Sequence, residues 1–322
     1  RTLSHTLSLT HTQADLRPLA EAALELLEEV GADKASKIRL QDLLRSDHAA
    51  DDSAGRRVAA HVCAQLGLLP SLSPDHELHM ADAAVIGSVE RGARAELWLL
   101  LRSRASPDAL APGGGKRALQ VACERGEAAC VEVLCQRGAS LDLPDHEGRR
   151  ALHEACHVKQ ASCLRLLIEH KASLNVVDND GRTAAHVACE KDAGECLALL
   201  ADAKAPLSRA DQAGEHPLHV AANRNSLACL RVLLAHSVPL DHHDKVDGDS
   251  ALLVASYRGH LATVTQLLKA NASLTATNKK GNGALHCAAY WGHREVVEAL
   301  LAAKASPCML NNKGWTPLDL AT

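Results

Sequence analysis

Apolar residues in the second half of the chain recur in short helical stretches separated by polar turns. Pairs of leucines mark one helix of each stretch, namely Leu166 and Leu167, Leu199 and Leu200, Leu233 and Leu234, Leu267 and Leu268, and Leu300 and Leu301. Small residues mark the helix before it, namely Ala122, Ala155, Ala188, Ala221, Ala255 and Ala288. A short helix with one apolar side cannot bury that side alone. The pattern therefore predicts pairs of helices that stack on neighbouring pairs.

Glycines set the period of this pattern. They stand at Gly115, Gly148, Gly181, Gly214, Gly248, Gly281 and Gly314, and the spacing is 33 residues each time except once, where it is 34. An Asp or Asn precedes five of them by three residues, namely Asp145, Asp178, Asp211, Asn278 and Asn311. Asp and Asn close turns with their own side chains, and Gly accepts a positive φ. Each period is therefore expected to be a turn followed by two helices.

The residues after these glycines carry a family resemblance. The chain reads "GRTAAHVACEKDA", "GEHPLHVAANRNS", "GNGALHCAAYWGH" and "GWTPLDLAT" after four of them. This resembles the ankyrin repeat, whose pattern is Gly-x-Thr-Pro-Leu-His-x-Ala-Ala. The resemblance implies an all-α fold, an ankyrin-repeat solenoid over residues 82–322, with one degenerate repeat, six complete repeats and a truncated one. Two departures stand out: Leu253 replaces the motif His, and an extra residue in "DHHDKVDGDS" is expected to bulge one turn.

The degenerate repeat departs most from this pattern. Residues 88–108 have the glycine, a triple leucine and the Ala-Ser-x-Asp ending, but "AAVI" stands where the Thr-Pro-Leu-His box belongs. The alternative is an unrelated helix that caps the stack.

The region ahead of the repeats is predicted to be a separate helical domain. Residues 12–30 and 54–69 have amphipathic helical patterns. We expect residues 1–78 to form an N-terminal helical domain that caps the first repeat, and residues 79–322 to form the array.

Between those two helices, residues 31–44 resemble an EF-hand loop that has lost its ligands. An EF-hand needs oxygen ligands at loop positions 1, 3, 5 and 12. Gly31 and Ala35 occupy two of these positions and offer no side-chain oxygen. The prediction is a degenerate EF-hand-like element that binds no calcium.

Composition narrows the classes of function. The 322 residues are 47% hydrophobic and 23% charged, which is typical of a soluble globular protein. The net charge of −4 gives no overall positive potential that would attract nucleic acid. No apolar run is long enough to insert into a membrane. The eleven cysteines are spread over a long chain, and several recur inside apolar patterns typical of a helix core, which favours reduced thiols and a cytoplasmic, reducing compartment. The polar opening "RTLSHTLSLTHTQA" fits a frayed leader or the tail of a transit peptide, and the start at Arg1 suggests a piece of a longer protein.

The histidines and cysteines do not indicate an enzyme. The resemblance implies a structural role for the motif histidines, His153, His186, His219 and His286. In successive second helices a cysteine recurs once per repeat. Cysteines that are two repeats apart are too far from each other to share one zinc ion. No phosphate loop, dinucleotide fingerprint or kinase signature occurs. The sequence predicts no catalytic residues, no cofactor and no metal site.

The positions that the repeat leaves variable carry the candidate chemistry. The resemblance implies that the turn tips and the end of each first helix line a concave face. The candidate partner-binding residues on that face are Tyr257, Arg258, Lys279, Lys280, Tyr290, Trp291 and Trp315. Tyr, Trp and Arg often carry the binding energy at interfaces, and this chain has no phenylalanine. The alternative is that Tyr290 and Trp291 only pack over the neighbouring repeat.

The start of the same face is mixed and leans acidic, with Glu124, His146, Glu147, Asp180 and Glu190. The function predicted from these features is a non-catalytic scaffold or adaptor that binds a partner protein or peptide. Two alternatives stay open: a regulatory segment of a larger enzyme or channel, and a structural subunit of a large cytoskeletal or ciliary assembly.

Overall fold

A computed structural model describes residues 74–103, 105–112 and 115–321 of the chain. Within these ranges the regular structure is helical, apart from two isolated bridges, Leu110 with Arg117 and Thr277 with Gly283. The chain divides into two compact units, Arg1–His146 and Glu147–Thr322.

The first unit contains two helix pairs among its described residues. They are α1 (Pro74–Glu90) with α2 (Arg94–Arg102), and α3 (Ala118–Arg125) with α4 (Ala128–Gln136). The "AAVI" stretch lies inside α1, where Val85 and Ile86 are buried. Helix α1 packs on both α2 and α3, so the degenerate stretch forms a helix pair.

The predicted domain boundary between residues 78 and 79 falls within α1, which is continuous from Pro74 to Glu90. The division into residues 1–78 and 79–322 stays a prediction, because the predicted helices and the EF-hand-like element lie outside the described residues.

The second unit contains five helix pairs and a final single turn. The first helices are α5 (Ala151–His157), α7 (Ala184–Lys191), α9 (Pro217–Arg224), α11 (Ala251–Arg258) and α13 (Ala284–Tyr290). The second helices are α6 (Ala161–Glu169), α8 (Gly194–Asp202), α10 (Leu227–Ala235), α12 (Leu261–Lys269) and α14 (Arg294–Ala302), and α15 (Pro317–Leu320) follows. Each first helix packs on the next first helix, and each second helix on the next second helix. This is the stacking that the leucine and alanine pattern predicts.

Local sequence explains where the helices begin and end. In α7, the backbone N–H of Thr183 donates to Nδ1 of His186 at 3.1 Å, which satisfies a donor that the helix leaves unpaired. Pro217 stands at the start of α9, where its missing N–H costs nothing. The first helices end in left-handed residues such as Asp192 and Gly259.

The core lies between the stacked helices. In each leucine pair one member is fully buried, namely Leu167, Leu200, Leu233, Leu267 and Leu300. The small residues that mark the first helices have no exposed surface, namely Ala122, Ala155, Ala188, Ala221, Ala255 and Ala288. Their small size allows neighbouring first helices to pack closely. Burying one leucine contributes roughly 2 kcal/mol.

The two departures from the repeat pattern are absorbed locally. Leu253 is fully buried where the motif His would stand, and Asn278 Nδ2 donates to Asp249 Oδ1 at 3.0 Å to join the adjacent turns. The extra residue bulges the turn ahead of Gly248. There Asp244 Oδ1 accepts the backbone N–H groups of Asp247 at 2.8 Å and Gly248 at 3.0 Å.

Candidate functional site

The turns that carry the lysines are closed by asparagine side chains. Asn278 Oδ1 accepts the backbone N–H groups of Lys280 and Asn282, each at 3.0 Å. One repeat later, Asn311 Oδ1 accepts the backbone N–H groups of Lys313 at 2.9 Å and Trp315 at 3.1 Å. The side chains of the residues between these bonds are left at the tips of the turns.

Backbone hydrogen bonds join neighbouring turn tips. The N–H of Lys279 donates to the carbonyl of Asp247 at 2.9 Å, and the N–H of Asn312 donates to the carbonyl of Lys280 at 3.1 Å. Gly281 stands at this junction with φ +75°, and a Cβ there would lie 2.7 Å from the backbone nitrogen of Asn312. The repeat therefore fixes the spacing of the tips through backbone atoms.

The aromatic side chains lie at equivalent ends of two first helices. Tyr257 precedes the end of α11, and Tyr290 is the last residue of α13, with Trp291 directly after it. The ring centroids of Tyr257 and Trp291 are 5.0 Å apart, and those of Tyr290 and Trp291 are 5.3 Å apart. Both pairs meet edge to face, at 74° and 87°, which is a favoured geometry for aromatic rings.

The aromatic side chains pack on the neighbouring repeat and are also exposed to solvent. Trp291 packs on Tyr257 of the preceding repeat, as the packing alternative expects, yet it is 50% exposed. Tyr257, Tyr290 and Trp315 are 40%, 52% and 44% exposed. Large aromatics with this much free surface in one region are unusual on a monomeric protein surface.

All the candidate residues line one groove of about 970 Å³ in the second unit. We call them the aromatic end: Tyr257, Arg258, Lys279, Lys280, Tyr290, Trp291 and Trp315. Lys313 lines the same groove. The structure brings the candidates together; their role in binding a partner stays a prediction.

The cations of the groove mostly face rings and neutral oxygens. The Arg258 guanidinium lies 5.5 Å from the Tyr257 ring centroid, and its Nε donates to Asn223 Oδ1 at 2.8 Å. Lys313 Nζ lies 4.7 Å from the Trp315 ring centroid. Lys279 Nζ donates to the carbonyl of Val246 at 3.0 Å. Lys280 differs, since its Nζ lies 3.9 Å from a carboxylate oxygen of Asp247.

The acids of the groove are engaged in turns. Asp244 caps the bulged turn, and Asp249 accepts from Asn278. Burial raises the pKa of Asp249 and of Glu215 above the usual range of a carboxyl group, and neighbouring carboxylates add to this effect.

The ankyrin family profile, described as ankyrin repeats in three copies, matches residues 86–178, 142–211, 159–244, 203–278 and 252–322. The chain belongs to the ankyrin-repeat family. Domains of this family are in general protein–protein interaction modules. The match begins at residue 86, so it gives no support to the EF-hand-like element predicted ahead of the repeats.

Solved ankyrin-repeat structures resemble this chain. The ankyrin repeat domain of Bcl-3, a member of the IkappaB protein family, is 32% identical over 65% of this chain and 95% of its own, with a TM-score of 0.60. The human ASB11 ankyrin repeat domain is 27% identical over 64% of this chain and 92% of its own, with a TM-score of 0.58. No curated protein sequence matches the chain. The all-α solenoid fold expected from the sequence is thus confirmed.

The face of the ankyrin array between Glu147 and Arg224 has a different chemistry from the aromatic end. Glu190 lies within ion-pair distance of Arg182 at 3.4 Å, Lys191 at 3.3 Å and Arg224 at 3.9 Å. Arg182 also pairs with Asp180 at 3.4 Å, and Arg149 with Glu147 at 2.8 Å. We call this set the ion-paired segment: Glu147, Arg149, Asp180, Arg182, Glu190, Lys191 and Arg224. The sequence indicated the acids; it did not indicate that basic neighbours pair with them.

The motif histidines of the ankyrin array join turns to helices. His153 Nδ1 accepts the backbone N–H of Arg150 at 3.1 Å, and its Nε2 donates to the carbonyl of Arg182 at 3.2 Å. Burial lowers the pKa of His153 to about 4, so the ring is neutral at pH 7. His186 and His219 make the same pair of contacts.

Burial suppresses the ionisation of two cysteines of the ankyrin array. The ten cysteines among the described residues are free thiols, eight of them buried. Burial raises the pKa of Cys135 and of Cys287 to about 12, which leaves almost no thiolate at neutral pH.

In the described ranges, no three His, Cys, Asp or Glu side chains are grouped so as to hold a metal ion. None of the described helices is both long enough and apolar enough to cross a membrane.

Proposed function

We propose that the protein is a non-catalytic adaptor or scaffold that binds a partner protein through the groove of the aromatic end. The observation that carries this proposal is the set of half-exposed aromatic side chains in a single groove. Such side chains bury a large area on binding and lose few rotors. Binding would cover the apolar surface that Tyr290, Trp291 and Trp315 now leave in contact with water.

The scaffold supports this proposal because it holds the groove in place before a partner arrives. Backbone hydrogen bonds link the turn tips at Lys279 and Asn312, and His286 Nε2 donates to the carbonyl of Trp315 at 3.1 Å. A preorganised surface loses less conformational entropy on binding. We propose a reducing compartment such as the cytoplasm, in which the buried thiols would remain free.

The experiment compares what the intact protein and two variants retain from a cell extract. Trp291→Ala removes the central aromatic ring, and Lys191→Ala truncates the equivalent position three repeats earlier. We expect at least one protein to be retained by the wild type and by Lys191→Ala, and to be depleted at least roughly tenfold by Trp291→Ala. Circular dichroism and urea unfolding check that both variants are folded.

Retention that is equal for the wild type and Trp291→Ala, with loss on Lys191→Ala, would place the binding surface in the ion-paired segment. That result would contradict the proposal.

A further inference from the structure

We propose that the partner segment in this groove is an acidic peptide that also carries one large apolar side chain. This inference rests on the proposed function and specifies the chemistry of its partner. It is drawn from the way in which the charges of the groove are already satisfied.

Three cations of the groove have no carboxylate partner among the described residues. Arg258 donates to the neutral side chain of Asn223 and lies over Tyr257. Lys313 lies over the ring of Trp315. Lys279 donates to the carbonyls of Val246 and Lys245, which are also neutral. Neutral oxygens and ring faces orient a cation without cancelling its charge.

The acids of the groove serve as hydrogen-bond or ion-pair partners within the turns. Asp244 accepts three backbone N–H groups, from Asp247, Gly248 and Asp249, at 2.8 to 3.2 Å. Asp249 accepts from Asn278, and Asp247 faces Lys280. These contacts hold the bulged turn and its neighbour together. Asp244 and Asp249 are half-buried, whereas Arg258, Lys279 and Lys313 are exposed beside the rings. The unpaired charges that a partner can reach most easily are therefore positive.

The exposed rings select an apolar anchor. Trp291 has Tyr257 on one side and Tyr290 on the other, both edge-on, and half of its surface remains open. A Leu, Met, Phe or Trp side chain of a partner would cover that surface, while carboxylates on either side of it would reach Arg258, Lys279 and Lys313. Complementary charges of this kind guide association and fix the register of a bound chain.

Rings beside cations also fit single-stranded nucleic acid, whose bases stack and whose phosphates pair with lysine. The carboxylates of Asp244, Asp247 and Asp249 line the same groove. A phosphate backbone carries a negative charge at every nucleotide and would meet these carboxylates, whereas a peptide can place its acids only where they meet the unpaired cations. The observations therefore favour the acidic peptide.

The test selects random displayed dodecapeptides on the intact protein and removes those that also bind Trp291→Ala. We expect the remaining peptides to be enriched in Asp and Glu and to share one large apolar position. Synthetic copies of them should bind Lys279→Glu/Lys313→Glu roughly tenfold or more weakly than the wild type. The double variant Lys269→Glu/Lys304→Glu has the same net charge but lies outside the groove lining, and it should bind within about twofold of the wild type.

The possible outcomes separate this inference from the proposed function. Peptides that need Trp291 but are neutral or basic would overturn the acidic partner and leave the groove as the binding surface. A dodecamer of deoxythymidine that competes with the selected peptides and binds more tightly than they do would also overturn it. If all peptides selected on the wild type also bind Trp291→Ala, the removal step leaves none. In that case the groove is not the binding surface, and both proposals fail.

Discussion

The ion-paired segment and the aromatic end occupy the same positions of the repeat and differ in what their cations face. Glu190 and Lys191 stand three repeats before Tyr290 and Trp291, at the equivalent end of a first helix. In the ion-paired segment, Arg182 and Arg224 face carboxylates. In the aromatic end, Arg258 faces a ring and an amide oxygen. The charges of the ion-paired segment pair with one another, whereas the aromatic end leaves rings and cations exposed.

The backbone beneath the two regions is the same. In the ion-paired segment the N–H of Asn179 donates to the carbonyl of Glu147 at 3.0 Å, and in the aromatic end the N–H of Asn312 donates to the carbonyl of Lys280 at 3.1 Å. The two regions therefore differ in their variable side chains, and the proposed function assigns binding to those side chains. The scaffold contributes their spacing.

The largest expected effect on stability comes from acid, through the histidines beneath the ion-paired segment. Burial holds the folded-state pKa of His153 at about 4, while the unfolded chain titrates near 6.5. The unfolded state binds more protons between these values, so the free energy of unfolding falls as the pH falls from about 6.5 to about 4. For His153 alone the loss is roughly 3 kcal/mol, and His186 and His219, whose pKa values are also lowered, add to it.

Urea unfolding at a series of pH values measures this loss. His153→Gln cannot titrate, so its stability should depend less steeply on pH than that of the wild type. Identical pH dependence in the two proteins would show that His153 is not held neutral in the fold.

A smaller effect tests whether the two regions share one scaffold. A Cβ at Gly148 or at Gly281 would lie 2.7 Å from the backbone nitrogen of the next turn, and both residues have positive φ. Gly148→Ala and Gly281→Ala should each cost roughly 2 to 3 kcal/mol of unfolding free energy. Gly314 has the same φ and no atom within 4 Å of such a Cβ, so Gly314→Ala should cost only about 1 kcal/mol. Equal costs at all three positions, measured by urea unfolding, would mean that the close approach of the turns does not matter.

The smallest expected effect lies in the ion pairs themselves. Glu190→Gln removes the shared acid of Arg182, Lys191 and Arg224, but these side chains are partly exposed. The cost should stay below about 1 kcal/mol and shrink at high salt. Thermal unfolding at low and high salt measures it. A larger cost that is insensitive to salt would show that the ion-paired segment is part of the folding core.

The array itself was predictable because its signals are local. A glycine with positive φ, an Asn or Asp three residues earlier and a buried leucine each act within one repeat. The start of α1 was not predictable in the same way. Without the Thr-Pro-Leu-His box, nothing marks a helix start near residue 83, and the helix begins at Pro74.

The candidate site was predictable in position but not in charge. The repeat register placed Tyr257 and Trp291 on adjacent repeats, and the structure brings their rings to 5.0 Å. Which cations meet carboxylates depends on the rotamers of long side chains that reach across repeats. Arg182 reaches Glu190 eight residues away, and Arg258 reaches Asn223 thirty-five residues away. Residue types alone do not determine those choices.

The most direct test of the account is to measure Trp291→Ala and Lys191→Ala together, for both partner affinity and unfolding free energy. Trp291 is half exposed, so its truncation should cost well under about 1 kcal/mol of stability and about 2 kcal/mol or more of binding free energy. Lys191→Ala should change both quantities little. The contradicting result is a Trp291→Ala protein that loses roughly 3 kcal/mol of stability and binds the partner as tightly per folded molecule as the wild type. In that case the aromatic rings are packing elements, and the partner binds elsewhere.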